Sequence, residues 1–372
     1  MTETGLEVRA GEVEALRLFE VAHAIELGRA EQAWVREPGA AAVRAQLQGT
    51  PAKAVAFDVP PLLLALPPVT LVLEGVATVA AVTARLYDFG VIVLALRVSA
   101  GARGWEKFSG LVNAMDLAVG PRANAPVWGQ VLAAVRERLG DALVRPLATV
   151  LEEDYLIGFV RAFGEGMNAA ALARLDLVPV LSGERRTLSE GARQDLLRQR
   201  FSYYDDDLVV LTWDRAFIYE PRGDRDVADV IEVANAQLLE MRYYDELLDD
   251  ELPRMYDLVE ATRRTMSLFG ARRFAKLARR LYALVAEVTE LTEKVDNALQ
   301  VTEDVYLARI YAAALEQFRV PTVSAAVDRK LGIIRDTYAA LYNEASGSRS
   351  ALMELAILLL ILIEIVLAVV PR

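Results

Sequence analysis

The 372-residue chain contains no cysteine and one histidine, His23. These absences exclude disulfides, thiol nucleophiles, iron–sulfur ligation and structural zinc sites. A Ser-His-Asp triad would have to use His23, which lies in a segment of alternating apolar residues and reads as a structural or exposed side chain. Among metals, only magnesium, calcium or manganese on carboxylates suits the side chains present. No cofactor is expected. Residues Met1–Val8 lack both an apolar signal core and an Arg-rich presequence. The net charge of −11 means that the chain as a whole is not built to wrap nucleic acid.

What the sequence does have is an apolar tail. Fourteen of the twenty residues Ala351–Val370 are Leu, Ile or Val. As a helix, twenty residues span about 30 Å, the hydrocarbon thickness of a bilayer. Glu354 and Glu364 oppose insertion, but the summed apolar gain exceeds the few kcal/mol that one deep acid costs. The alternative is a buried helix of a soluble core, where such runs are usually shorter. Arg335 and Arg349 precede the tail and Arg372 follows it, so the positive-inside rule places the N-terminal bulk in the cytoplasm.

Residues 1–226 show mixed α/β patterning. Alternation over Glu14–Ala22 predicts a strand, and Leu27–Val35 a short helix. Two apolar runs, Leu62–Leu66 and Val69–Leu73, are separated by Pro67-Pro68. Val79–Leu86 and Val91–Val98 flank the turn Tyr87–Gly90 and predict a hairpin. Trp105–Leu117 and Val127–Leu139 read as amphipathic helices. Beyond them, Tyr155–Phe163 reads as a strand, Ala169–Leu175 as a helix, Leu177–Leu181 as extended, and Leu188–Phe201 as helical. A second hairpin is expected from Asp207–Trp213 and Ala216–Tyr219.

From Asp226 onward the period becomes helical. One seam runs Ile231, Ala234, Leu238, Met241, Asp245, Leu248, Leu252, Met255 and Val259. A second runs Phe274 to Ala298, and a third Val327, Leu331, Ile334, Tyr338 and Leu341. Sustained steps of three and four predict coiled-coil faces. Breaks at Gly270 and Pro321 give helices near 227–268, 271–319 and 322–345, with Pro253 kinking or splitting the first. The expected fold is α+β: a mixed α/β domain (1–226), an antiparallel helical coiled-coil arm (227–346) and a C-terminal transmembrane helix (350–370).

Five features are candidates for chemistry. Asp205, Asp206 and Asp207 follow Tyr203-Tyr204, with Trp213-Asp214 beyond. Three acids suit a divalent cation, yet strand neighbours point to opposite faces, and a charged strand start with packed aromatics is the simpler reading. Asn235, Arg242, Asp245, Glu246 and Asp249 share one helix side. Asp245 takes a seam position, with Arg242 as the obvious local partner, and the set reads as a structural polar network. Arg263, Arg264, Arg272, Arg273, Lys276, Arg279 and Arg280 form a run without acids. That run suits RNA or anionic headgroups, or else a solvated helix flank. Gly164–Ala169, with Glu184 further on, formally matches a dinucleotide loop, although Glu165 would place a carboxylate among the phosphates. Glu364, an acid within the tail, points to a second copy of the helix as its partner and so to a homo-oligomer.

The segments Arg85–Val91, Ser202–Val210, Glu232–Asp249 and Leu362–Leu367 resemble bacterial relatives of the Rmd ("required for meiotic nuclear division") family, which is built around a domain of unknown function. The resemblance covers most of the chain. It implies a membrane-anchored protein without an established enzymatic activity, and it supplies no catalytic residues. Eukaryotic members are associated with mitochondria, where one supports organellar translation at the inner membrane. This chain departs from them in lacking a presequence.

The expectation is therefore a single-pass, tail-anchored, non-enzymatic scaffold at the cytoplasmic membrane. It would present its α/β domain to protein or ribonucleoprotein partners, with ribosome, other RNA or anionic lipid as candidates at the basic run. No small-molecule substrate is identified. The alternative is a membrane-tethered nucleotide- or metal-dependent enzyme using Gly164–Glu184 or Asp205–Asp207.

Overall fold

The computed structural model describes residues 6–35, 42–44, 59–164, 166–184, 186–263 and 305–337, with scattered positions between 279 and 289 and residues 339 and 357. Two compact units are present. One comprises Met1–Glu240 with Lys294–Pro321, the other Met241–Glu293 with Thr322–Arg372. The first unit therefore takes in helical chain beyond residue 226, where the change of period placed the domain boundary.

Among the described residues, the first unit is built on one mixed sheet of ten strands: β1 (Glu7–Ile25), β2 (Ala42–Arg44), β3 (Leu62–Leu73), β4 (Val76–Leu86), β5 (Val91–Ser99), β6 (Arg103–Gly104), β7 (Leu143–Phe163), β8 (Arg200–Phe201), β9 (Leu208–Leu211) and β10 (Arg215–Tyr219). Their order is β2-β3-β4-β5-β1-β7-β10-β9-β8, with β6 pairing the start of β1. Among the described residues, only β7 and β10 pair in parallel. Both expected hairpins form, as β4–β5 and β9–β10. The runs on either side of Pro67-Pro68 make one strand instead of two. A register shift between Leu66 and Val69 lets β3 pass its two prolines, which cannot donate to the ladder. At the β4–β5 turn, Gly90 has φ +103, and a Cβ there would lie 1.9 Å from the Ala22 carbonyl oxygen. Only glycine fits.

One sheet face is apolar. Strand alternation sends Val13, Ala15, Phe19 and Val21 to it. It is covered by α2 (Trp105–Val119), with α1 (Leu27–Val35) and α3 (Pro126–Leu139) completing the layer. Two strand glycines let α2 approach closely. A Cβ on Gly158 would stand 3.5 Å from the Phe108 ring, and one on Gly11 would stand 3.4 Å from it. Arg17 also points to this side and is buried. It donates to the Val119 carbonyl at the C-terminal end of α2, as does the Trp128 indole. A cation and an N–H thus satisfy a carbonyl at the negative end of the helix dipole.

Three short helices follow: α4 (Ala169–Ala173), α5 (Val178–Ser182) and α6 (Glu190–Leu196). Leu177–Leu181, expected to be extended, is largely helical. Pro179 occupies a first-turn position, where its missing N–H costs nothing, and Gly183 closes the turn in the left-handed region. The helix expected over Leu188–Phe201 is shorter, because Arg200-Phe201 pairs with β9 at the sheet edge.

The opposite face is covered by the start of α7 (Asp226–Arg263). Residues 226–241 of this helix are buried nearly all round, as in a core helix. Helix α8 (Val305–Gln317) belongs to the same unit. Tyr311 donates to Gln237, and Phe318 packs edge-on to Tyr155. Pro253 does not split α7. The break expected at Pro321 falls at Phe318-Arg319, where Arg319 takes φ +58, and Pro321 sits in the first turn of the next helix, α9 (320–337).

In the second unit, Lys330 of α9 reaches Asp245 at 2.6 Å and Asp249 at 2.7 Å. Leu248, Met255, Val327, Leu331 and Ile334 are buried there, as the first and third seams predict. Among the described residues no helix is long and apolar enough to cross a membrane. The tail 350–370 lies outside them apart from Ile357.

The closeness of α2 to the sheet predicts that Phe108→Ala lowers unfolding stability by about 3–5 kcal/mol, measured by denaturant titration.

Candidate functional site

Strand alternation that sends Val13 and Ala15 to the apolar face sends Glu12, Glu14 and Glu20 to the other. Glu14 pairs in register with Arg97 of β5, and the two side chains meet at 2.6 Å. Arg85 of β4 lies on the same face. From the helix side, Arg225, Asp229, Glu232, Ala236 and Glu240 recur at steps of four and three, which places them on one stripe of α7 and the residue preceding it. Docking that stripe on the sheet brings the charges together.

Arg85 bonds Asp229 at 2.8 Å and Glu232 at 3.2 Å. Tyr87 donates its hydroxyl to Glu232 at 2.9 Å. Arg225 binds Glu12 and Glu14, and Arg161 lies 3.7 Å from Glu12. Four carboxylates (Glu12, Glu14, Asp229, Glu232) are thus answered by four guanidinium groups (Arg85, Arg97, Arg161, Arg225). The centre is dry: the side chains of Glu14, Glu232 and Arg85 are 2%, 6% and 8% exposed. At that burial an ion lacking its partner is costly, while a complete set is tolerated.

Titration follows the geometry. Burial pushes the Glu14 carboxyl up, but Arg97 and Arg225 outweigh it and hold the group below the ordinary glutamate value. Glu232 ends above that value, since burial and the neighbouring Asp229 exceed the pull of Arg85. Burial works against the charge on Arg85, and Asp229 with Glu232 more than restores it.

A second polar cluster sits on the apolar side. Arg215 of β10 is buried and bonds Asn113 at 2.7 Å, the Val180 carbonyl at 3.2 Å and Asp116 at 2.7 Å. Gly183 has φ +64, and a Cβ there would lie 2.6 Å from the guanidinium. Tyr155 donates to the Thr212 and Arg215 carbonyls. Beside it, Asp116, Asp154, Val119 and Gly120 help enclose a space of about 10 Å³. That volume suits one water and nothing larger. The Asp154 carboxyl is raised by burial, against the pull of Arg17.

The residues singled out from sequence fall elsewhere. Asp207 accepts the Tyr203 and Tyr204 amides at 2.8 and 3.1 Å and pairs with Arg222, which also reaches Asp206. These acids organise a turn before β9, with Tyr203 against Tyr306 and Arg222 over Tyr204. Trp213 is exposed, and Asp214 accepts the Thr212 hydroxyl. Among the described residues, no group of three or more acids or histidines is placed to hold a metal. Gly164 packs on Glu7, Asn168 caps α4 through the Ala171 amide, and α4 is only five residues long. Glu165 lies outside the described residues.

The polar stripe divides between the two units. Asn235 donates to the Asp154 carbonyl in the first, while Asp245 and Asp249 hold Lys330 in the second, where Arg242 also falls. The cation on Asp245 is thus supplied by another helix, although Arg242 was the obvious partner in sequence. Of the basic run, Arg279 is helical and exposed. The side chains of Arg263, Arg264, Arg272, Arg273, Lys276 and Arg280 lie outside the described residues, as does Glu364.

The ion-pair layer itself escaped the sequence reading. Its available signal was a set of glutamates at alternate positions of an apolar strand, together with Asp229 and Glu232 one turn apart on a helix.

The fold and site define an α+β protein whose single mixed sheet is apolar on one face and ion-paired to a helix on the other. Residues 10–225 match the family described as "Uncharacterized protein MJ0711, N-terminal domain", and the chain belongs to that family. It is similar to the uncharacterized protein MJ0711 of Methanocaldococcus jannaschii, with 26% identity over 193 residues. The match covers 52% of this chain and 58% of that protein, so the chain spans less than two thirds of the relative's length. No solved structure matches.

Two predictions follow from the layer. Arg85→Met, which keeps bulk and leaves Asp229 and Glu232 unanswered, lowers stability by about 3–5 kcal/mol in denaturant titration. Glu14 has a depressed folded pKa, so its contribution is complete above the ordinary value of 4.5 and is lost as pH falls through the folded value. Glu14→Gln is accordingly less stable than wild type at neutral pH. It also shows a shallower fall in stability between about pH 5 and pH 3, read from thermal unfolding.

Proposed function

We propose that this protein is a membrane-anchored, non-enzymatic scaffold, related to the Rmd family, that presents its sheet domain to protein or ribonucleoprotein partners. The observation that carries this reading is the mutual pairing of the charged groups that form the ion-pair layer. Glu12, Glu14, Arg85, Arg97, Arg225, Asp229 and Glu232 bond one another, and Asp207 bonds backbone amides and Arg222. General acid–base or metal chemistry needs such groups aimed at a substrate. Here they fasten a helix to a sheet and close a turn.

Anchorage rests on the sequence of 351–370, whose apolar content favours a bilayer. In this reading the tail spans the cytoplasmic membrane, Glu364 meets its counterpart in a second copy, and the arm positions Arg263–Arg280 for anionic partners. RNA on a ribosome and anionic lipid share the phosphate chemistry that such a run recognises.

Fractionation of cells expressing the full chain tests the anchor. The intact protein is expected to sediment with membranes and to resist alkaline extraction, while a chain lacking 351–372 is soluble. An intact protein found in the soluble fraction removes the proposal. Replacing Arg272, Arg273 and Arg279 with Glu is expected to reduce salt-sensitive binding to ribosomes or to anionic vesicles by at least about tenfold. Unchanged binding in both assays takes the basic run out of the function.

A further inference from the structure

We propose that the outer face of the β3–β4 hairpin docks on the same face of a second copy of this chain, the two sheets packing front to front about a two-fold axis. Side chains of β3 and β4 alternate between two faces. One face packs on α2. Leu71 and Leu73 are buried there, and the hairpin tip rests on the helix, where a Cβ on Gly110 would come within 3.1 Å of the Glu74 carboxylate. The other face carries Ala65, Thr70 and Val72 of β3 and Ala77, Val79 and Ala81 of β4, with Thr70 opposite Val79 and Val72 opposite Ala77. None of the six is charged and all are exposed, Val72 at 67% and Val79 at 66%. Val43 of β2, paired with Leu63, extends this face and is 60% exposed.

The composition is that of a covered face. An antiparallel sheet wetted on one side alternates apolar with polar residues, whereas a strand buried on both sides reads as a continuous apolar run. Leu62–Leu73 contains one polar residue, Thr70, and Val76–Ala84 contains two, Thr78 and Thr83. The strip also continues the face that α7 covers. Ala81 pairs with Arg97, which meets Glu14 in the ion-pair layer, and Thr83 lies between Ala81 and Arg85 on the same side of β4.

The edge, the charge and the area point to a second copy. Strand addition along β3 is blocked, because β2 takes the edge at Leu62–Leu64 and Pro67-Pro68 beyond it lack N–H donors. Packing on the face remains, and a face without charge offers nothing to a polyanion. A net charge of −11 sets two copies against each other, and an uncharged strip is where that repulsion is weakest. A two-fold contact gives each face a partner of equal shape and chemistry, at the roughly 10 Å spacing of stacked sheets. Ala65 to Val72 span roughly 25 Å and three strands roughly 14 Å, so each copy contributes roughly 350 Å². That is less than half of the about 800 Å² per partner in a standard interface, so the contact is weak by itself and its population rises with concentration. It is separate from the contact between tails at Glu364 and does not rest on it.

The chain has no cysteine, so one introduced thiol reports on one position. In the full-length protein in detergent, Val72→Cys is expected to form a disulfide dimer on mild oxidation, faster at higher protein concentration. Leu117→Cys, on α2 and 72% exposed, is the control and is expected to cross-link far more slowly. Adding Val79→Glu to Val72→Cys brings like charges face to face and is expected to slow cross-linking at least about tenfold. Mixing Val79→Glu with Val79→Lys chains, each carrying Val72→Cys, is expected to restore it, an outcome that a folding defect could not produce. A Val72→Cys rate no greater than that of Leu117→Cys overturns the proposal. Maleimide labelling then tells an open face from one shielded by another segment of this chain or another partner. Cross-linking insensitive to Val79→Glu, or not restored in the mixture, also overturns it.

Discussion

The structure of the first unit depends on one electrostatic constraint: the face of its sheet that meets α7 carries charge and must nevertheless be dry. Glu14 is 1% exposed although it lies on an antiparallel strand, where a carboxylate normally marks the wet side. Leaving water costs an ion several kcal/mol, which only well-placed counter-charges recover. Arg97 comes from the neighbouring strand by register, and Arg225 from the residue just before α7. Arg85 makes the reverse demand and is met by Asp229 and Glu232. Each half of the interface would be unstable if buried alone. A purely apolar helix could not take the place of α7, and a shift of one turn would separate Arg85 from both acids. The layer is thereby a device of register. It fixes which stripe of the helix meets which strands more sharply than apolar contact does.

The other face solves burial by different means. Phe108 and its neighbours fill the space opened by Gly11 and Gly158, so complementarity of volume sets the position of α2. Cations occur there too, but their partners are mostly backbone or singly placed side chains. Arg17 takes the last carbonyl of α2, and Arg215 takes the Val180 carbonyl with Asn113 and Asp116. Such contacts terminate elements and close turns. They share no titrating group with the layer on the opposite face, and β1 supports both because alternate side chains separate the two chemistries.

Local structure was legible where a local cause decides it. The hairpins β4–β5 and β9–β10, the helices α1, α2 and α3, and the start of α7 follow from alternation, helical period and turn residues, although the second turn falls at Thr212–Asp214 instead of Asp214-Arg215. Leu177–Leu181 was misread because a short apolar run around a proline does not reveal its period, and Gly183 capped it as a helix. Pro67-Pro68 divided β3 on paper, since a bulge cannot be read before its partner strand is known. The ion-pair layer was hidden for a further reason. Glutamates alternating with apolar residues describe a half-wet strand equally well, and only the arrival of α7 makes them buried. The stripe chosen from sequence, Asn235 to Asp249, was a real helix side. It was read as one network, yet its members bond to Asp154 and Lys330 in two different units.

The extent of the family match sharpens this point. It ends at residue 225, which includes Glu12, Glu14, Arg85, Arg97 and Arg225 and stops just before Asp229 and Glu232. The matched span therefore holds the sheet side of the layer and a net excess of guanidinium groups over the two glutamates they face. On its own it would leave Arg85 without its acids and strand the apolar residues beside it in water. The segments Arg85–Val91 and Glu232–Asp249, distant in sequence, supply opposite sides of the same contact through Arg85, Tyr87 and Glu232. The ion-pair layer is thus complete only when the sheet is joined by the first turns of α7, in the unit that also takes in α8.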